Sequence, residues 1–444
     1  MKKEVPLKRS LILWHIVVIG IGFMAPTVVF DTFGIVSKAT GGHVPAGYLV
    51  TMIAILFTAG SYRKMVRVFP TSGSAYTYVQ KTMNPSLGFM VGWSLLLDYL
   101  FIPMINALVC SIYVSTLFPN FPVWLTIVIF VLVTTLTNIF SVKISVSVNL
   151  LFVTWQFITV FVFTALCIIH LLQANGPEGL FSLEPLYSSK LKFSLLTSGA
   201  ALLAFSFLGF DAVTTLGEET KDPKKTIPNG ILLIVIIAGV LFITASYFEQ
   251  SALSLFPKIE DIEGTSSILA KYLGGELFQF MLFSASIAST FASAMVSQTS
   301  ASRILYAMGR DGVLPRKFFS YVHPRSSTPV YNIILVGLLS LTAIFLTLET
   351  ATSFITFGAL TAFTFVNLSV FFHYIIKERK RGIKSVLNYL VLPFIGTGLM
   401  VFLWTNLNYH SIVLGISWGI IGISYLLVLT KIFRKDISKI TFEA

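Results

Sequence analysis

Three carboxylates of this 444-residue chain sit inside apolar stretches: Asp31 in APTVVFDTFGIVS, Asp98 in SLLLDYLFIPMIN and Asp211 in FSFLGFDAVTTLG. The remaining Asp and Glu, of 19 in all, fall in polar segments or at the ends of apolar ones. A carboxylate in an apolar medium must be protonated, hydrogen-bonded or paired with a cation. No Lys or Arg lies deep in the same stretches, so a neutralising cation would come from outside, as a substrate ammonium, Na⁺ or H⁺. For each acid the structural alternative is a hydrogen bond: an interhelical one for Asp31 and Asp98, and local backbone or loop groups for Asp211, near the end of its stretch. The histidines form no ligand set. His323 lies in a loop, His43 and His410 near span ends and His15 near the first. Cys110 and Cys167 both lie in apolar runs and read as buried fillers, so neither a disulfide framework nor a metal site is expected. With no catalytic constellation, the chain reads as a non-enzyme without cofactor.

The elements that position these acids follow from composition. The chain is 55% hydrophobic and 11% charged, with a mean hydropathy of +0.84. Soluble domains carry about 25% charged residues. A bilayer is therefore the solvent, and backbone satisfaction there demands helices. The runs are continuous, not alternating, which excludes a transmembrane β-barrel. Twelve spans of membrane-crossing length are expected, at 11–37, 45–62, 86–118, 123–141, 147–172, 194–217, 228–250, 276–305, 329–347, 351–376, 387–406 and 411–432. The first is too long for a signal-peptide core and carries Pro26 and Asp31, so it is expected to be retained. The connections, the longest near 173–193, 251–275 and 306–328, leave no room for a soluble domain.

Charge orients this map. With a cytoplasmic N-terminus every Lys and Arg falls inside except Lys38, Lys190, Lys192, Lys258 and Lys271, as the positive-inside rule requires. Both termini are expected in the cytoplasm. The net charge of +12 then reports topology and anionic lipid, not nucleic acid.

Two spans carry helix breakers. The first reads WHIVVIGIGFMAPTVVFDTFG, with Gly20, Gly22 and Pro26 at its middle; the sixth reads GAALLAFSFLGFDAVTTLGEE, with Ser206 and Gly209 among Phe205, Phe207 and Phe210. Spans 1 and 6 are corresponding members of two five-helix halves, 11–172 and 194–376, with two additional helices at 387–432. Interrupted helices in matching positions of inverted repeats point to a transporter's midplane site, where unwound backbone exposes polar groups. Span 8, SASIASTFASAMVSQTSAS at 284–302, has small residues that allow close helix approach or line a pathway.

Several stretches then resemble the amino acid–polyamine–organocation (APC) superfamily: FSFLGFDAVTTLGEETKDPKKTIP (205–228), FPTSGSAYTYVQ (69–80) and GRDGVLPRKFFSYVHPRSSTPVYN (309–332). The resemblance implies a LeuT-type fold. A narrower likeness, to the proton-coupled putrescine importers, rests on APTVVFDTFGIVS (25–37), GGHVPAGYL (41–49), GFMVGWSLLLDYLFIPMINALV (88–109) and TFGALTAFTFVNLSVFFHY (356–374). It implies that Tyr99 lines a polyamine site and that import is driven by the proton gradient. Many amino acid transporters of the superfamily bind a substrate carboxylate at a glycine-rich break in span 1; here IGFMAPT (21–27) alters that motif and Pro26 removes an amide. Some relatives place a lysine in span 5 at a sodium position; here Trp155 and Gln156 lie near that place.

The resulting expectation is a secondary transporter importing a small organic cation, putrescine or a related polyamine, with protons. A diamine needs two anionic or carbonyl-rich ends around an apolar middle. The candidate substrate-binding residues are Tyr99, Asp31, Asp98, Gly20, Gly22, Phe205 and Phe210. Asp31 would meet the arriving cation, Asp98 or helix-end carbonyls would take its other end, and Asp98 is the candidate proton-coupling group. An ammonium over an aromatic ring gains about 2 kcal/mol when desolvated, for which Tyr99 and Phe205 are candidates. On a helix Tyr99, Ile102, Pro103 and Asn106 share a stripe and Asp98 lies about 100° away. The alternative is a neutral or cationic amino acid permease or exchanger of the same superfamily. The sequence sets no oligomeric state.

Overall fold

The computed structural model describes residues 9–428, apart from 119, 141, 190, 257–261, 263, 347, 406 and 408. The basic residues Lys2, Lys3, Lys8, Lys190, Lys258, Lys431, Arg434, Lys435 and Lys439, and the end of the twelfth expected span, lie outside the described residues. The described chain is helical, its one β-type pairing being an isolated bridge between Leu11 and Thr220. The helices are α1 (Leu13–Met24), α2 (Val28–Thr40), α3 (Val44–Val68), α4 (Ser74–Thr82), α5 (Pro85–Leu117), α6 (Val123–Phe140), α7 (Val142–Asn175), α8 (Phe193–Leu203), α9 (Pro223–Leu253), α10 (Thr265–Arg310), α11 (Arg316–Phe319), α12 (Val330–Ser340), α13 (Leu348–Phe371), α14 (Ile383–Val386), α15 (Leu392–Thr405) and α16 (Tyr409–Leu427).

Among the described residues, 9 helices are long and apolar enough to cross a membrane, and the pair α1 and α2, bent by 42°, makes one more span. The shorter apolar helices Val330–Phe345 and Ser411–Leu427 coincide with the other two expected spans. The elements sort by burial. In the apolar window of α5 78% is buried, against 22% around α15. α5 is therefore an axis of the bundle, and α15 faces lipid. The last helix seats on α5 through two tryptophans. Trp93 Nε1 donates to the Trp418 carbonyl at 2.9 Å and Trp418 Nε1 to the Trp93 carbonyl at 2.7 Å, with the rings stacked 4.7 Å apart.

Two expected loops contain helices. Residues 69–80, expected as a loop, lead into α4, whose Tyr76 and Tyr78 are fully buried; burying these rings against α5 and α13 stabilises the extra helix. The expected loop 251–275 becomes helical at Thr265, and only Gly275, at φ +73°, separates this segment from the long membrane part of α10. The membrane part therefore begins at 276, as expected.

A third correction concerns charge. Arg303, counted among the cytoplasmic cations at the end of span 8, is 1% exposed inside α10. It is a buried basic residue at a span end, and its partner is none of the three apolar-stretch acids. Its guanidinium grips Glu219, with Nε to Oε1 at 2.9 Å and Nη2 to both oxygens at 2.6 and 2.7 Å. The N-terminal segment clamps the same place: Ser10 and Leu11 amides donate to the Glu219 carbonyl, and Lys221 N–H to that of Leu11.

Candidate transport site

The two interruptions lie in spans 1 and 6, but the first is not at the glycines. Gly20 and Gly22 are ordinary interior positions of α1. A Cβ on Gly20 would meet Ile234 Cδ1 at 2.2 Å, and one on Gly22 the Asn149 carboxamide at 2.2 Å; their smallness serves close packing against α9 and α7. The break falls at Ala25, which takes left-handed backbone (φ 55°), followed by Pro26 and Thr27. Of the four amides at the break, Ala25 donates to Ile21, Pro26 has none and Val28 donates to Ala25. Among the described residues, those of Thr27 and, one residue into α2, Val29 have no backbone acceptor.

Span 6 breaks where its glycine stands. α8 passes through a 3-10 turn, Ala204–Phe207, then Leu208 is extended and Gly209 has φ +102°. A second 3-10 segment, Ala212–Glu219, completes the span. Any side chain at Gly209 would strike the Phe23 ring, with 1.8 Å between its Cβ and Cδ1. The two breaks thus meet through Phe23, whose ring in turn stands edge-on to Tyr99, centroids 5.8 Å apart.

Asp211 follows this break directly and is 0% exposed. Sequence reasoning favoured local backbone or loop partners for it. Beside local backbone contacts with its own amide and that of Gly209, its Oδ2 accepts the Tyr99 hydroxyl at 2.7 Å and the Tyr62 hydroxyl at 3.3 Å. The break carries Asp211 off the helical path, so its side chain reaches α5 and α3. Phe210 is fully buried beside it, 5.6 Å from Tyr62 and 5.1 Å from Phe363 between centroids, whereas Phe205 is half-buried.

Asp98 neighbours Tyr99 in sequence but projects elsewhere. It is 0% exposed, and among the described residues neither carboxyl oxygen has a hydrogen-bond partner. Gly358 of α13 lies against this turn of α5: a Cβ there would be 2.3 Å from the Ser94 carbonyl and 3.3 Å from Asp98 N. Asp98 lies within electrostatic reach of Asp211. On the Tyr99 stripe, Asn106 Nδ2 donates to Ser293 Oγ of α10 at 3.0 Å.

Asp31 lies apart, at the far end of α5. Its Oδ1 accepts the Tyr113 hydroxyl, and Ser286 Oγ of α10 at 3.4 Å. Among the described residues no lysine, arginine or histidine pairs with Asp31, Asp98 or Asp211. In span 5, Trp155 Nε1 donates to Ser284 Oγ at 3.1 Å, while Gln156 is buried with both amide atoms unpartnered. The residue of that helix that reaches between spans 1 and 8 is Asn149, whose Nδ2 donates to the Ala292 carbonyl at 3.2 Å. The cysteines are buried and free.

The sequence reading also missed Glu249, on α9 near the end of its span, which is 0% exposed. Its position by sequence at a span end hid its burial.

At the end of the bundle near the N-terminal segment, Arg310 Nη1 donates to Glu218 Oε1 at 2.6 Å and the Tyr76 hydroxyl to Asp311 Oδ2 at 2.9 Å. Burial pushes the Asp311 carboxyl up from its ordinary value, with Arg310 opposing. Asp98, Tyr99 and Asp211 are closed off from solvent, so any solute reaching them requires neighbouring helices to part.

Two interrupted helices meeting beside buried, cation-free carboxylates in an otherwise apolar bundle define a membrane transporter of the broken-helix class. The chain belongs to the amino acid permease family, which it matches over residues 15–430. It is 43% identical over 435 residues to the low-affinity putrescine importer PlaP of Escherichia coli (strain K12), covering 98% of this chain and 96% of that protein. It is 26% identical to the branched-chain amino acid permease BcaP of Bacillus subtilis (strain 168), covering 95% and 92%. A solved structure of a Na⁺-coupled sialic acid symporter shares the fold, with a TM-score of 0.57 over 90% of this chain and 92% of that one at 14% identity.

Proposed function

We propose that this protein imports putrescine or a closely related polyamine across the cell membrane by alternating access, coupled to protons. The observation that carries the reading is the pairing of Asp211 with Tyr99 and Tyr62, beside an Asp98 with no hydrogen-bond partner among the described residues. Two carboxylates within electrostatic reach, buried without a protein cation, match a dication better than a zwitterion. A substrate carboxylate would need several free amides, and at the span 1 break Pro26 has none and Ala25 and Val28 are bonded, which leaves those of Thr27 and Val29. The 43% identity to a putrescine importer over nearly the whole length supports the same substrate class.

Geometry divides the expected roles. Tyr99 and Tyr113 both lie on α5 and are separated by about 21 Å at about 1.5 Å per residue. The five bonds between the nitrogens of a four-carbon diamine, about 1.5 Å each, sum to under about 8 Å. One diamine therefore cannot bridge Asp31 and the Tyr99 site. Asp31 serves as an approach station. Asp211 and Asp98 take the two ammonium ends, with Phe210 near the apolar middle; Phe205 borders the path, while Gly20 and Gly22 let α1 pack closely behind it. Asp98 carries the coupling proton, since a carboxyl without any hydrogen-bond partner is the easiest to leave neutral between cations.

Orientation follows the basic residues, which support a cytoplasmic location of both termini. Lys64 donates to the Asn388 carbonyl, Lys377 to that of Lys81, and Arg310 to Glu218, so clusters far apart in sequence share one face. Chain 1–444 works as a single unit, its halves 11–172 and 194–376 rocking against each other.

Uptake by purified, reconstituted protein of a panel of diamines and amino acids, with and without a pH gradient, tests this. Putrescine uptake that a diamine competes away, but its α-carboxylated analogue does not, is expected. The reverse selectivity would make the protein an amino acid permease, the reading that the 26% identity to BcaP favours.

A further inference from the structure

Glu249 is buried at 0% exposure near the end of α9, and no described cation pairs with it. Its Oε1 lies 2.5 Å from Ser266 Oγ, and the same Ser266 Oγ lies 2.9 Å from the Phe30 carbonyl oxygen. Its Oε2 has no partner. A serine hydroxyl has one proton, whereas a carboxylate and a carbonyl only accept. With Glu249 ionised, only one of the two close contacts is a hydrogen bond, and the other sets two acceptors face to face. With Glu249 protonated, both close as a chain: Glu249 Oε1–H donates to Ser266 Oγ, and Ser266 Oγ–H donates to the Phe30 carbonyl. The chain joins three elements: α9, the 265–274 segment of α10, and α2.

We infer that Glu249 holds a proton in this conformation, and that this proton latches α2, the half of span 1 carrying Asp31, onto the 265–274 helix. The latch is built into close packing. Gly34, one turn beyond Phe30, approaches the same segment so tightly that a Cβ would lie 1.9 Å from the Ile262 carbonyl oxygen and 2.5 Å from Thr265 Oγ1. Loss of the proton commits Ser266 to the carboxylate, removes the bond to Phe30 and leaves a buried negative charge, which favours parting of α2 from this segment. The titratable neighbours cannot substitute for it. Tyr48 of α3 and Cys167 of α7 lie within electrostatic reach. Asp31 of α2 acts on the same Tyr48. The lysines of the contacting elements, Lys38 and Lys271, are exposed, and Lys271 pairs with Glu276 at 3.3 Å. A further tie, Ser37 Oγ to Gln250 Oε1 at 3.0 Å, holds α2 to α9 without titrating. The role in transport rests on the alternating-access reading above; the latch itself does not depend on the substrate.

Two measurements without substrate test it. Infrared difference spectra of wild type against Glu249→Gln are expected to contain a protonated-carboxyl C=O band at neutral pH that disappears at alkaline pH. In a background with Cys110 and Cys167 replaced, Lys38→Cys reports the freedom of α2 by its rate of labelling with a membrane-impermeant thiol reagent. That rate should rise about tenfold from mildly acidic to alkaline pH, the equivalent of the one lost hydrogen bond to the Phe30 carbonyl. Glu249→Gln, whose amide still donates to Ser266, should stay slow throughout, and Ser266→Ala should be fast throughout. An absent band, a flat wild-type profile, or a Glu249→Gln profile that still rises would overturn the latch. Loss of putrescine uptake with these profiles intact would overturn the transport reading alone.

Discussion

The hydroxyl of Tyr99 donates to Asp211 Oδ2 at 2.7 Å across 112 residues of sequence, joining the middle of span 3 to the break in span 6. That bond fixes where the unwound backbone of span 6 stands relative to α5. In the proposed mechanism it also positions the Asp211 carboxyl at the centre of the bundle to meet a cation. Hydrogen bonds to charged groups are worth about 1.5–3 kcal/mol. Tyr99→Phe should therefore raise the apparent KM for putrescine by about tenfold or more, with Tyr62→Phe, whose contact is longer, costing less. Asp211→Asn should cost more than either. Initial-rate uptake in proteoliposomes measures all three, and an Asp211→Asn variant with wild-type KM would remove Asp211 from the site.

Asp98, proposed to take one ammonium end, gives a prediction about coupling beyond its effect on affinity. Its carboxyl has no hydrogen-bond partner to lose, so Asp98→Asn should fold as the wild type does. Uptake by this variant should no longer respond to an imposed pH gradient, while facilitated equilibration of substrate persists. Retained gradient-driven accumulation would exclude Asp98 as the coupling group.

The separation of Asp31 from Tyr99 along α5 predicts a split in kinetics. Asp31→Asn should raise KM several-fold and leave the saturated rate close to wild type if Asp31 acts, as proposed, as an approach station outside the central site. An equal loss in both parameters would place Asp31 at the central site after all.

Gly209 combines φ +102° with a Phe23 ring where a Cβ would stand. Left-handed backbone costs a residue with a side chain about 1–2 kcal/mol, and the clash adds to it. Gly209→Ala should lower thermal stability in detergent and abolish uptake. Phe23→Leu in the same chain should recover only part of the stability, since relief of the clash leaves the backbone strain.

The Arg303–Glu219 pair, 2% exposed on both sides, should behave as buried ion pairs do. Glu219→Gln or Arg303→Met alone should destabilise by about 3–5 kcal/mol, and the double replacement Arg303→Met with Glu219→Leu by less than either. Thermal denaturation in detergent reads this directly; additive losses would mean that the two groups are independent.

The sequence alone determined the medium, the number of spans and the presence of interruptions in spans 1 and 6, because apolar length and helix breakers act locally and need no partner. It located the acids at Asp31, Asp98 and Asp211 for the same reason, and the residues around Tyr99 carried a resemblance that the 43% identity to a putrescine importer matches. Contacts between distant segments were decided only by the tertiary structure. Gly20 and Gly22 look like a break in the sequence, yet the adjoining Ile234 and Asn149 show them to be packing contacts, and the turn itself lies at Ala25. Arg303 and Glu249 read as span-end charges, because neither burial nor the hydroxyl that Glu249 shares with Phe30 can be seen from one element. Asp211 meets Tyr99 for the same physical reason: interruption of span 6 redirects a side chain toward a helix that local sequence cannot specify, and dense packing around it fixes the partner.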